Sequence, residues 1–210
     1  MPDYTPTRFA ECANAIAEAG RDFGARGWTP ATSSNFSMRL SDSRIAVTVS
    51  GRDKGKLTAA DVMVCDLAGN AVDTDARPSA ETLLHCQIYR RFPHAGAVLH
   101  THSLAQTLAS RIYAQAGELT LAGYELLKAF AGYTTHDARM QLKVFPNSQD
   151  MHELARLIDA WLDEQPVTHG YLIDGHGIYT WGKDMLEARR HLDAFEFLLN
   201  CELELRKMHR

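Results

Sequence analysis

Ala97-Val98-Leu99-His100-Thr101-His102-Ser103 begins with three apolar residues, the mark of a buried strand, and ends on a serine suited to cap a helix. A helical pattern follows to about Gln115. Upstream, Pro78 stands at the first turn of another helical pattern that runs to about Phe92, with Ser79 and Glu81 near its start. Downstream, a short helix is expected over Tyr124 to Phe130, a strand over Leu142 to Phe145 and a helix over Met151 to Asp163. A strand pair, Tyr171 to Asp174 and Gly177 to Trp181, flanks Gly175-His176-Gly177, and a long helix runs from Asp184 to the end. Nearer the start, Phe9, Cys12, Ala13, Ile16, Ala19 and Phe23 repeat at helical spacing, with Gly27 as the stop. Phe36–Leu40 and Ile45–Val49 around Ser41-Asp42-Ser43 read as a hairpin, and Val62–Leu67 as a strand. Strands and helices alternate without a linker, so the expected fold class is α/β (or mixed α+β), with helices on the faces of one sheet in a single domain over residues 1–210.

On a strand, residues i and i+2 share a face, so His100 and His102 present two imidazoles to one side. They suit one metal ion, or equally a strand end with two hydrogen-bonded histidines. His176, between two glycines, would supply a third donor and complete three ligands with an open position, the layout of catalytic zinc. Its other reading is an exposed residue in a tight turn. Glu81 and Glu125 both stand at helix starts, where a negative charge complements the dipole; spacing alone does not raise either above other acidic residues. Three small polar clusters suit a phosphate: Ser33-Ser34-Asn35, Ser50-Gly51 with Lys54, and Ser79. The other histidines, His85, His169 and His191 among them, read as surface or helix residues, Tyr179 and Trp181 as core, and Glu196 to Glu204 as a solvated or oligomer-facing helix surface.

The 210 residues are 45% hydrophobic and 23% charged, with a formal net charge of −4, ordinary for a globular chain and unlike the basic footprint of a nucleic-acid binder. No apolar run approaches a membrane span. The polar start, Met1 to Pro6, lacks the layout of a signal peptide, which makes a cytoplasmic location the expectation. Cys12, Cys65, Cys86 and Cys201 form no CxxC pair and read as buried thiols.

Taken in order, Ser34-Asn35-Phe36-Ser37, Ser50-Gly51, Pro78-Ser79-Ala80-Glu81, His100-Thr101-His102 and Gly175-His176-Gly177 resemble the class II aldolase/adducin family across nearly the whole chain. The resemblance implies a central, mostly antiparallel sheet flanked by helices. It implies one zinc ion on His100, His102 and His176, and a sugar-phosphate substrate whose phosphate meets Asn35, the Ser50-Gly51 loop and Ser79. It also implies a homotetramer with active sites near subunit interfaces. Gly123-Tyr124-Glu125-Leu126-Leu127-Lys128 is most similar to the dehydratases of the family, in which the Glu at this position serves as acid–base group, with Glu81 assisting or lying beside the zinc. One departure is Ser34, where the family usually has Gly. The competing expectations are an aldolase or 4-epimerase, which would share the zinc site, and a non-catalytic module like the adducin head, which has no need of three histidines.

Overall fold

In the computed structural model, which describes residues 3–165 and 168–208, the frame is one eight-stranded sheet in the order β3-β2-β1-β4-β8-β7-β6-β5. The strands are β1 Asn35–Arg39, β2 Arg44–Thr48, β3 Val62–Asp66, β4 Ala97–Thr101, β5 Glu118–Ala122, β6 Arg139–Phe145, β7 Gly170–Ile173 and β8 Gly177–Gly182. Neighbours pair antiparallel except β6 with β7. The helices are α1 Pro6–Ala25, α2 Thr82–Arg91, α3 Leu104–Tyr113, α4 Met151–Glu164 and α5 Met185–Met208.

Helices cover both faces. Residues of α1, α3 and α5 pack with Ala46, Leu99 and Ile178 on one side, and residues of α2 and α4 with Ile45, Val47, Val98 and Tyr179 on the other. Central strands enclosed on both faces become continuous apolar runs instead of alternating ones. The expected mixed α/β class with a mostly antiparallel, helix-flanked sheet is what the chain adopts.

Local signals set most element ends. The Thr5 hydroxyl accepts from Arg8 N above Pro6, and Ser103 with Gln106 forms a capping box at α3. Two local expectations need correction. Pro78 does not open α2: it sits in an isolated bridge with Val49, and the helix starts at Thr82. A Pro can occupy such an edge position because it has no N–H to give to the ladder. Strand β5 was not anticipated. It lies at the sheet edge with only Leu119 and Leu121 buried, so its apolar signal is two residues long.

Two glycines let β8 and its surroundings close on β4. A Cβ at Gly177 would lie 2.0 Å from Thr101 O, and one at Gly96 would lie 2.1 Å from Lys183 O. No described helix is long and apolar enough to cross a membrane.

Candidate metal centre and phosphate cleft

The sheet order puts the site together. β4 lies between β1 and β8, so Asn35 stands opposite His100, and the Asp174–His176 turn joining β7 to β8 reaches the end of β4. The Nε2 atoms of His100 and His102 are 2.7 Å apart and those of His100 and His176 3.3 Å apart. One ligand atom from each lies within 4.8 Å of the others, the metal-compatible His group found among the described residues. The exposed-turn reading of His176 is set aside, since its side chain is only 17% exposed and faces this group.

The outer ring nitrogens determine where the lone pairs point. His100 Nδ1 donates to Ile178 O at 2.9 Å, and His176 Nδ1 faces Asn147 Oδ1 at 3.3 Å. Donation at Nδ1 leaves Nε2 unprotonated and directed inward, the arrangement that orients metal-bound imidazoles. Tyr179 stacks on His100 at 4.1 Å between ring centroids. Burial above all pushes His100 down to about 4 and His102 to about 2. Neutral imidazoles with converging lone pairs are the form in which histidine binds a divalent cation. The donor set therefore fits a metal ion such as zinc, with room left for a fourth ligand.

Glu81 joins this group. Its Oε1 lies 3.1 Å from His176 Nε2 and its Oε2 3.6 Å from His100 Nε2, and Asn35 Nδ2 donates to Oε2 at 2.7 Å. Burial opposes ionisation of Glu81, but His100, His176 and Asn35 together outweigh it and hold the carboxyl far below its usual range. Although Glu81 occupies the N-cap position of α2, its carboxylate makes no capping bond and is turned to the imidazoles.

Beside the histidines lies a cleft of about 110 Å³ lined by Asn35, Ser50, Gly51, Lys54, Ser79, Glu81 and His102, with Thr32, Ser33, Ser34 and Thr48. All five residues picked out for phosphate binding thus share one space with a metal-group histidine. Thr32 and Thr48 were not foreseen, since single threonines carry no spacing signal. Lys54 is 2% exposed and donates Nζ–H groups to Thr32 O at 3.1 Å and Arg52 O at 2.6 Å. An ammonium has three donors, so one remains for an anion in the cleft. Ser34 adopts φ +74°, the left-handed region that favours glycine.

Glu125 lies elsewhere in the chain. Its side chain is 71% exposed, pairs with Lys128 and stands 3.9 Å from His136 Nδ1. It lines an open groove with Leu126, Leu186, Arg190 and Phe197. Of the histidines read as surface or helix residues, His85 and His191 are helix residues, and they are buried, at 0% and 1% exposed. Their burial came from tertiary packing, which their spacing did not announce.

The family profile "Class II Aldolase and Adducin N-terminal domain" matches residues 14–203. The chain is 58% identical over 206 residues to the methylthioribulose-1-phosphate dehydratase of Stenotrophomonas maltophilia (strain K279a), covering 98% of this chain and 96% of that protein. It is likewise 58% identical over 205 residues to the protein of that name from Xanthomonas euvesicatoria pv. vesicatoria (strain 85-10), covering 98% and 94%. Among solved structures, the fold is similar to YgbL, a putative aldolase/epimerase/decarboxylase from Klebsiella pneumoniae, with TM-score 0.79 at 22% identity over 94% of this chain and 90% of that one. It is also similar to the L-fuculose-1-phosphate aldolase of Thermus thermophilus, with TM-score 0.73 at 24% identity over 93% and 95%.

Proposed function

This chain belongs to the class II aldolase and adducin family, and from that premise we propose that it is a hydro-lyase that removes water from 5-methylthioribulose 1-phosphate to give 5-methylthio-2,3-dioxopentyl 1-phosphate, a step of methionine salvage. The observation that carries this reading is the convergence of three imidazole Nε2 atoms and the Glu81 carboxylate on the edge of a cleft lined with anion-binding groups. A non-catalytic module has no use for that arrangement. Relatives at 58% identity favour the dehydratase over an aldolase or epimerase built on the same site.

His100, His102 and His176 would hold one zinc ion through Nε2, and the ion would supply Lewis acidity to the substrate carbonyl, making the neighbouring C3–H more acidic. Asn35, Ser50, Gly51, Ser79 and the spare Lys54 donor hold the phosphate and so set where C3 and C4 lie. A base takes the C3 proton, the C4 hydroxyl leaves with a proton as water, and the resulting enol tautomerises to the diketone. Glu81, ionised and fixed by Asn35, stays anionic beside the imidazoles, where its charge would complement a bound cation as a zinc-proximal carboxylate. Glu125 is our first candidate for the proton transfers at C3 and C4. It stands on an exposed apolar groove with Leu126, Leu186 and Phe197. In the homotetramer that the family resemblance implies, with active sites near subunit interfaces, Glu125 would serve a neighbouring subunit's cleft.

The test is product mass after incubation with methylthioribulose 1-phosphate, with and without a chelator. Chelator-sensitive loss of one water is expected. Cleavage to a three-carbon phosphate would replace this reading with an aldolase, and unchanged mass would overturn it.

A further inference from the structure

Glu81, His85 and Tyr89 are spaced four apart at the start and along α2, so their side chains lie in one stripe. Asn35 and Ser37, two apart on β1, share one face of the facing strand. The two rows interleave. Tyr89 OH is 3.0 Å from Ser37 Oγ, Ser37 Oγ is 2.7 Å from His85 Nδ1, His85 Nε2 meets Asn35 Oδ1, and Asn35 Nδ2 is 2.7 Å from Glu81 Oε2. His85 and Ser37 are 0% exposed, Tyr89 1% and Asn35 3%.

Donor and acceptor rules leave one direction for the whole chain. Asn35 must turn its NH₂ to the carboxylate, because its carbonyl there would face another acceptor. Its Oδ1 then requires a proton on His85 Nε2. A neutral His85 with Nε2–H has a lone pair at Nδ1, which takes the Ser37 hydroxyl proton. The single Ser37 hydrogen being used, Tyr89 must donate to Ser37. Burial supports this order, pushing His85 down to about 3 and the Tyr89 phenol well above its ordinary range, so both stay neutral. Each donor polarises the next, and the series ends on the Glu81 anion.

We propose that His85 is a positioning residue for Glu81: it locks the Asn35 amide orientation through its Nε2–H tautomer, and Ser37 and Tyr89 lock that tautomer in turn. Asn35 also lines the phosphate cleft, so the same amide fixes the distance between the anion-binding groups and the Glu81 carboxylate. The Glu81 carboxylate itself favours the NH₂ face of Asn35, and His85 supplies the second contact, at Oδ1, that holds the amide in that orientation and position. The inference rests on the proposed dehydration for its kinetic arm, but not for its spectroscopic one.

The first measurement is the tautomer of His85 by ¹H–¹⁵N NMR of ¹⁵N-histidine protein. We expect protonation at Nε2 only, unchanged between neutral and mildly acidic pH, and a mixed tautomer in Ser37→Ala. Protonation at Nδ1 in the wild type would overturn the proposal. In turnover of methylthioribulose 1-phosphate by the zinc-loaded enzyme, His85→Leu should lower kcat on the order of 10- to 100-fold at full zinc content. His85→Gln, which keeps an N–H for Asn35, should recover much of the loss, and Tyr89→Phe should lose only a few-fold. Wild-type kcat in folded His85→Leu, or no difference between Leu and Gln, would overturn it. Should His85→Leu fail to fold, the graded losses in Ser37→Ala and Tyr89→Phe carry the kinetic arm, and their absence refutes it. A wild type that leaves the sugar phosphate unchanged would sink the proposed reaction, while the tautomer result would still judge the network.

Discussion

Gly177→Ala tests whether the approach of β8 to β4 builds the metal centre. The added Cβ would lie 2.0 Å from Thr101 O, 3.0 Å from Thr101 C and 3.3 Å from His102 Cδ2. The first contact is about 1 Å short of the 3.0 Å that real Cβ atoms respect, and its partner is backbone, which cannot swing aside as a side-chain end can. Thr101 separates His100 from His102, and Gly177 follows His176, so any parting of the strands moves donors that sit 2.7 and 3.3 Å apart. Overpacking of this kind costs about 1–3 kcal/mol or somewhat more. That corresponds to a fall in Tm of roughly 2–12 °C for a chain of this size. Ligand displacement should also weaken metal binding on the order of 10-fold or more, since sites tolerate only about 0.5 Å of misplacement. Calorimetric melting of the metal-free protein reads the strain by itself, and zinc titration against a competing chelator reads the site. Gly51→Ala is the control, because its Cβ would meet nothing within 4 Å and only its φ of +75° opposes the change. Wild-type melting and zinc affinity in Gly177→Ala would refute the close-approach argument.

Ser34→Gly should stabilise the protein: φ +74° strains a residue with a Cβ by about 1–2 kcal/mol, offset by about 0.5–1 kcal/mol of glycine entropy. A lower urea midpoint would contradict this. Glu125→Gln should keep stoichiometric zinc while losing about 10²–10⁴-fold in kcat, and full turnover in that variant would remove Glu125 from the chemistry. Acid should weaken the fold through its buried imidazoles. His85, His100 and His169 are pushed down to about 3, 4 and 4 from an ordinary value of 6.5, burial being the largest cause in each. The unfolded chain therefore takes up protons first. Their support is complete above pH 6.5 and declines as pH falls toward 4. Urea midpoints of the metal-free protein that stay level between about pH 7.5 and 5 would contradict that.

Much was legible in the sequence because it depends on short-range geometry. A two-residue period puts His100 and His102 on one side of any strand, and Ser103 caps whatever helix follows. The motif order carried the family resemblance, and with it the residues proposed for metal and phosphate, which the fold brings together as one histidine group and one adjoining cleft. The left-handed Ser34, standing where the family usually has Gly, was marked by its identity alone. Other features had no local signature. β5 offers two buried residues at a sheet edge, too few for a pattern. His85 reads as an ordinary helical histidine until α2 packs on β1 and Ser37 and Asn35 take its two nitrogens.

The sequence by itself determined which residues could do chemistry and where most strands and helices would form, because backbone periodicity acts over a few neighbours. Only the tertiary structure decided which of them meet. His176 is 76 positions from His100, and Asn35 is 46 from Glu81. Contacts at such separations are selected by the order of strands in a sheet buried on both faces, and that order is a property of the packed whole, which no single segment encodes.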